Sequence, residues 1–176
     1  MGDKVIYHKR EIEYKVPILA EEISHFFMHK KEPLLALCVL KGGFMFFRDL
    51  VSHLDPEIKM ESGFCRVRTY HNQKKEECSQ LEVNENVIDR NVLIIDDICD
   101  SGQTINLLTR TLKLRGAKEI YSVVAIHRLG LNQPVKPDWS LFQHVGEEWF
   151  YGYGMNKDDK GTGRNRPHVF AIDEEK

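Results

Sequence analysis

Residues 91–104 read NVLIIDDICDSGQT. The run from Val92 to Ile95 is short, apolar and rich in β-branched side chains, the composition of a strand covered on both faces. Asp96 and Asp97 follow it at once and Asp100 comes three positions later. Ser101, Gly102, Gln103 and Thr104 then open an apolar stripe at helical spacing, Ile105, Leu108 and Leu112, which stops at Gly116, a residue type favoured just past a helix end. Strand, turn and helix in this order form the repeating unit of an α/β sheet.

The same unit recurs on either side. LLALCVL, residues 34–40, is a second buried strand, stopped by Lys41-Gly42-Gly43 and followed by the helical stretch GFMFFRDLVSHL. IYSVVAI, residues 120–126, is a third, followed by His127 and Arg128. Leu19, Ile23, Phe26 and Phe27 predict an amphipathic helix within residues 16–31. Residues 60–70 read as a strand, the charged residues 71–90 as a loop or hairpin, and FYGYG and HVFAI as short strands. The expected fold is α/β, a mainly parallel, twisted, doubly wound sheet flanked by helices, in one domain over residues 1–176. Ligands of such sheets bind at the carboxyl ends of strands, where all three polar groups just named stand.

Bulk composition removes several classes of function. Hydrophobic residues make up 41% of the chain and charged residues 30%, close to the globular norm, and no run approaches the about 20 apolar residues of a membrane span. The N-terminus has neither a secretory nor a transit signature, so a soluble, cytoplasmic protein is expected. A net charge of -2 argues against coating nucleic acid. Cys38, Cys65, Cys78 and Cys99 lack C-x-x-C spacing and read as reduced thiols. His25 and His29 share a helix face without a third metal ligand and read as solvated.

The opening stretch carries the chemistry. A Ser-Gly-x-Thr turn at a helix start offers backbone N–H groups and two hydroxyls to a phosphate, and Gly102 permits close approach. Ordinary capping by Asp100 or Ser101 is the competing explanation. Adjacent carboxylates repel unless donors or a cation hold them together, and a sugar diol or Mg2+ supplies these. A ribose 5-phosphate satisfies both halves of the stretch. The D-x-D of haloacid dehalogenase-type phosphatases and the Walker A loop are absent.

An apolar strand, two acidic residues and D-S-G-x-T closely resemble the phosphoribosyl diphosphate motif of type I phosphoribosyltransferases. VLKGGFMFFRDL, VRTY and EEWFYGYG extend the resemblance, in order, to the hypoxanthine-guanine branch over roughly residues 34–170. The resemblance implies that family's fold, with a small hood built from the terminal segments. It implies transfer of the phosphoribosyl group of phosphoribosyl diphosphate to a purine base in purine salvage, with Mg2+ as cofactor, a nucleoside monophosphate and diphosphate as products, and a homo-oligomeric assembly.

Carried onto this chain, the resemblance assigns the ribose hydroxyls and Mg2+ to Asp96 and Asp97. The 5-phosphate goes to Asp100, Ser101, Gly102, Gln103 and Thr104, and acid/base catalysis at purine N7 to Asp100. Leu40, Lys41 and Gly42 form the diphosphate loop, where the family often has a cis peptide, and Arg164 is the diphosphate-binding arginine, with Arg166 competing. Arg68, Thr69 and Tyr70 match the family's lid loop, and Trp149 and Phe150 the base site. Two positions depart from the pattern. His127 stands where the family has a lysine that reads the 6-oxo group, and Asn156 stands where an aspartate helps hold a second Mg2+. Xanthine, adenine or a modified purine thus remains an alternative substrate, and a nucleotide-sensing regulator an alternative role.

Overall fold

A computed structural model describes residues 3–71, 77–130 and 132–172, with the side chains of residues 68–71 and 77–81 left outside the description. Chain order is β1 (Lys4–Tyr7), α1 (Lys9–Met28), β2 (Leu34–Val39), α2 (Phe44–Val51), β3 (Met60–His71), β4 (Glu77–Val83), β5 (Asn91–Cys99), α3 (Gln103–Leu114), β6 (Glu119–Arg128), β7 (Trp139–His144), β8 (Phe150–Tyr151) and β9 (Val169–Ala171).

Six strands form the main sheet in the order β4-β3-β2-β5-β6-β7. Every pairing is parallel except β3 with β4, an antiparallel hairpin in which Arg68 faces Gln80 and Thr69 faces Ser79. The unbroken apolar runs of the central strands follow from cover on both faces. On β2, Leu34, Ala36 and Cys38 join the core shared with α1 and α2, whereas Leu35, Leu37 and Val39 meet Leu108 and Leu112 of α3. Successive side chains of a strand point to opposite faces, so a strand buried twice has no polar phase.

Two boundaries and two whole strands differ from the sequence expectation. Helix α1 begins at Lys9 rather than near residue 16, because His8 and Glu11 close a capping box and Ile12 and Val16 are buried. Pro17 therefore lies inside the helix. Strand β5 continues through Cys99, so Asp96 and Asp97 stand within its last turns of pleat rather than beyond it. Strands β1 and β7 carry no continuous apolar run, being edge strands with partly exposed side chains.

A second sheet, β1-β9-β8, is wholly antiparallel and joins the two ends of the chain. Its buried residues Phe150, Val169 and Ala171 belong to the same core as α1 and β2. This hood sets β8 beside the carboxyl ends of β5 and β6.

Candidate active site

The turn after β5 is built around Gly102. Its φ of 72° lies in the left-handed region, and a Cβ there would fall 2.5 Å from the Val135 carbonyl oxygen, so both backbone and neighbour require glycine. No side chain caps α3: the nearest approach is the Gln103 N–H to Ser101 Oγ at 3.4 Å. The first N–H groups of the helix are thus left to an outside acceptor. A cavity of about 340 Å³ opens over this turn, lined by Leu40, Gly42, Asp96, Asp97, Asp100, Ser101, Gly102 and Thr104 among others.

The two adjacent carboxylates differ. Asp96 is buried, and its burial, followed by the charge of Asp97, pushes its carboxyl well above the usual range. Asp96 Oδ1 accepts from the Asp97 N–H at 2.9 Å, and Asp97 Oδ1 accepts from the Ile98 N–H at 2.9 Å. Asp97 is half-buried and lies against the 40–43 turn: a Cβ on Gly42 would meet its Oδ2 at 1.8 Å. The Leu40-Lys41 peptide is cis, and the Lys41 side chain is exposed. Gly154, with φ of 99°, presses on the same turn, where a Cβ would come within 2.1 Å of the Gly42 carbonyl oxygen.

A neighbouring cavity of about 210 Å³ shares Asp97, Ile98 and Asp100 with the first and extends to Arg128, Glu147, Glu148, Trp149, Phe150, Met155 and Asn156. Trp149 is half exposed, its indole N–H donating to the Asn156 carbonyl at 3.0 Å, while Phe150 is buried. A flat exposed ring beside a buried one provides a stacking platform.

Asp100 links the two cavities. Arg128 Nε donates to its Oδ1 at 2.5 Å, and the guanidinium lies 4.8 Å from the centre of the Phe150 ring. His127 does not reach this pocket. Adjacent residues of β6 face opposite ways, and the buried His127 ring meets Gln133 Oε1 through Nε2 at 2.8 Å. Gln133 in turn donates to the Asp100 and Arg128 carbonyls at 2.5 and 2.9 Å. His127, expected from the sequence at the base, is not among the residues lining this cavity and stands behind the loop. Arg128, visible in the sequence only as its neighbour, takes the inward position.

Arg164 and Arg166 separate cleanly. Arg164 donates to the Gly154 carbonyl at 2.6 Å and to Asn156 Oδ1 at 3.0 Å, next to the second cavity, whereas Arg166 lines a different cleft with Asp3, Tyr151 and Lys157. Asn156, expected among the metal ligands, thus stands beside the cavity with its Oδ1 accepting from a guanidinium. Among the described residues no cluster of three or more His, Cys, Asp or Glu side chains forms a metal cage. Backbone atoms of Arg68, Thr69 and Tyr70 run in β3 rather than in a loop. Their side chains, and the rest of the expected lid at residues 72–76, lie outside the described residues.

This arrangement offers a phosphate turn, an acidic pair and an aromatic slot along one cleft, with a hinge carboxylate between them. Comparison with known proteins identifies a family. The phosphoribosyl transferase domain family matches residues 4–158. The hypoxanthine-guanine phosphoribosyltransferase of Bacillus subtilis (strain 168) is 31% identical over 174 residues, spanning 97% of this chain and 93% of that one. Its counterpart from Lactococcus lactis subsp. lactis is 30% identical, spanning 97% and 91%. A solved structure of the hypoxanthine phosphoribosyl transferase of Trypanosoma cruzi superimposes with a TM-score of 0.84 at 25% identity, over 96% of this chain and 90% of that one.

Proposed function

Because this chain belongs to the phosphoribosyl transferase domain family, we propose that it transfers the phosphoribosyl group of phosphoribosyl diphosphate to hypoxanthine or guanine and releases diphosphate, a step of purine salvage. One observation carries the reading: the uncapped Gly102 turn and the Trp149–Phe150 slot share Asp100 as a common wall. Donor and acceptor of a glycosyl transfer must meet at such a wall.

In the reaction N9 of the base bonds to C1′ of the ribose as the C1′–O bond to diphosphate breaks, its electrons leaving with diphosphate. The N7 proton passes to the Asp100 carboxylate. The 100–104 turn holds the 5-phosphate, and Asp96 and Asp97 accept from the ribose hydroxyls. Leu40, Lys41 and Gly42 present backbone and charge to the diphosphate. Trp149 and Phe150 hold the base plane, a contact that contributes about 1–3 kcal/mol in such sites. Carboxylates beside the ribose favour the positive charge that develops there.

Hard oxygen donors suit Mg2+, which is commonly bound by one or two carboxylates together with substrate oxygens. The cleft-facing carboxylate of Asp97, with Asp96 behind it, fits that description, and the Asn156 amide oxygen is a third, neutral candidate. When bound, Mg2+ neutralises charge on the diphosphate. Arg164, fixed by Gly154 and Asn156, brings a permanent cation to the same end of the cleft.

We also read the chain as one domain over residues 1–176, acting in the cytoplasm as a homo-oligomer. No helix among the described residues is long and apolar enough to cross a membrane, and the exposed Phe44 and Phe64 rings support a self-association surface. Incubation with Mg2+, phosphoribosyl diphosphate and each common base in turn tests the activity through diphosphate release and nucleotide formation. Turnover of hypoxanthine or guanine is expected. Tight nucleotide binding without turnover of any base would instead identify a sensor.

A further inference from the structure

We propose that Arg128 selects the base: one of its Nη–H groups donates to an oxygen at the 6-position of the purine while its Nε–H holds Asp100 beside N7. The proposal rests on the transfer reaction above and supplies its specificity.

Among the described residues that line the base-side cavity, Arg128 is the one cation. It is buried, so its position is set by the protein rather than by solvent. Three contacts fix the guanidinium plane: Nε to Asp100 Oδ1 at 2.5 Å, Nη1 to the Gly146 carbonyl, and Nη2 to the Glu148 carbonyl at 3.0 Å. The Phe150 ring beneath it fixes the plane's height. An arginine carries five N–H donors, so one remains on each Nη, and arginine accepts nothing. A 6-oxo group is an acceptor and completes this set, whereas a 6-amino group brings N–H against N–H. The other charged groups of the pocket, Asp97, Asp100, Glu147 and Glu148, are acidic; Glu148 is engaged by His144 at 3.0 Å and Asp97 by the Ile98 N–H. His127, on the opposite face of the strand, takes no part in this contact.

The experiment compares kcat/KM for hypoxanthine and adenine in the wild type, R128Q and H127K, with melting temperature and phosphoribosyl diphosphate affinity as checks of folding. Loss of a charge-assisted hydrogen bond to a substrate is expected to shrink the hypoxanthine-over-adenine preference of R128Q by about 10- to 100-fold. A general loss of packing lowers both substrates together and leaves that ratio unmoved. H127K is expected to keep the wild-type ratio. If R128Q does not fold, side-chain NMR of the wild type decides, since Arg128 Nη–H signals should move with inosine monophosphate and not with the purine nucleotide lacking the 6-oxo group. A folded R128Q with an unchanged ratio, an H127K variant that shifts the ratio more than R128Q does, or unmoved Nη–H signals would each overturn the assignment. A wild type inactive on every purine would remove the transfer reaction itself, a distinguishable result.

Discussion

Asp100 belongs to both cavities, as Asp97 and Ile98 do, and its role separates from ordinary capping by a kinetic signature. Asp100→Asn keeps the shape and removes the proton acceptor, so turnover should fall about 100- to 10,000-fold while phosphoribosyl diphosphate affinity changes little. Parallel loss of both, measured by steady-state kinetics and calorimetry, would make Asp100 a binding residue only. The cysteines are a second case in which environment sets chemistry. Burial, aided by nearby aspartates, pushes the Cys38 thiol up to about 12 and Cys99 up to about 11, and Cys65 is raised in the same direction. At pH 8 their thiolate fractions are then on the order of one in a thousand or less. Native protein should leave these three thiols unlabelled by a maleimide or disulfide reagent until it is unfolded, and rapid labelling of any of them, followed by mass spectrometry, would contradict the burial described.

At this scale the sequence was readable where chemistry sits next to itself in the chain. Asp96, Asp97 and the 100–104 turn are contiguous, so a run of donors and acceptors was visible without tertiary information. The choice between His127 and Arg128 was not, because it depends on which of two adjacent residues faces inward. That parity is set by the pairing of Cys99 with His127 across β5 and β6, a register only the folded sheet defines. Arg164 and Arg166 pose the same difficulty: two residues apart, one holds Gly154 and Asn156 while the other lines the cleft of Asp3 and Tyr151.

Among the elements, α1 shows tertiary packing prevailing over local preference. Pro17 removes a backbone donor in the middle of a 20-residue helix, yet Ile12, Val16, Leu19, Ala20 and Ile23 hold the helix to the sheet on both sides of it. Pro17→Ala restores that donor and should stabilise the protein by about 1–3 kcal/mol, a rise of several degrees in melting temperature that calorimetry can read. An unchanged or lowered Tm would mean that stiffening of the unfolded chain by proline outweighs the lost bond. The central strands and α3 were legible from periodicity alone, since each has one clear phase or none. Strands β1 and β7 escaped because an edge strand with partly exposed side chains has no pattern to distinguish it from a loop.

At the level of the whole molecule, the cleft is a joint between two sheets. The large sheet contributes the Gly102 turn and acidic pair, and the small one contributes Phe150. Val169 and Ala171 of β9 are buried in the shared core, and β9 is the middle strand of the hood. Ending the chain after Pro167 removes the partner of both β1 and β8. Such a truncation should cost at least about 3 kcal/mol and abolish base turnover. Full activity in the shortened protein would show that the hood does not shape the base site.

Lys4 lies opposite Ala171 in the hood, a pairing between the two ends of the described chain. Proteins are synthesised from the N-terminus, and β1 must therefore wait for nearly everything else before it finds its neighbour. By the time α3 has emerged from a ribosome, the residues of the 100–104 turn are all present, but β9, the strand that pairs with β8, has yet to be translated. The residues of the 100–104 turn are thus made well before β9, and the hood can close only once that strand has been made.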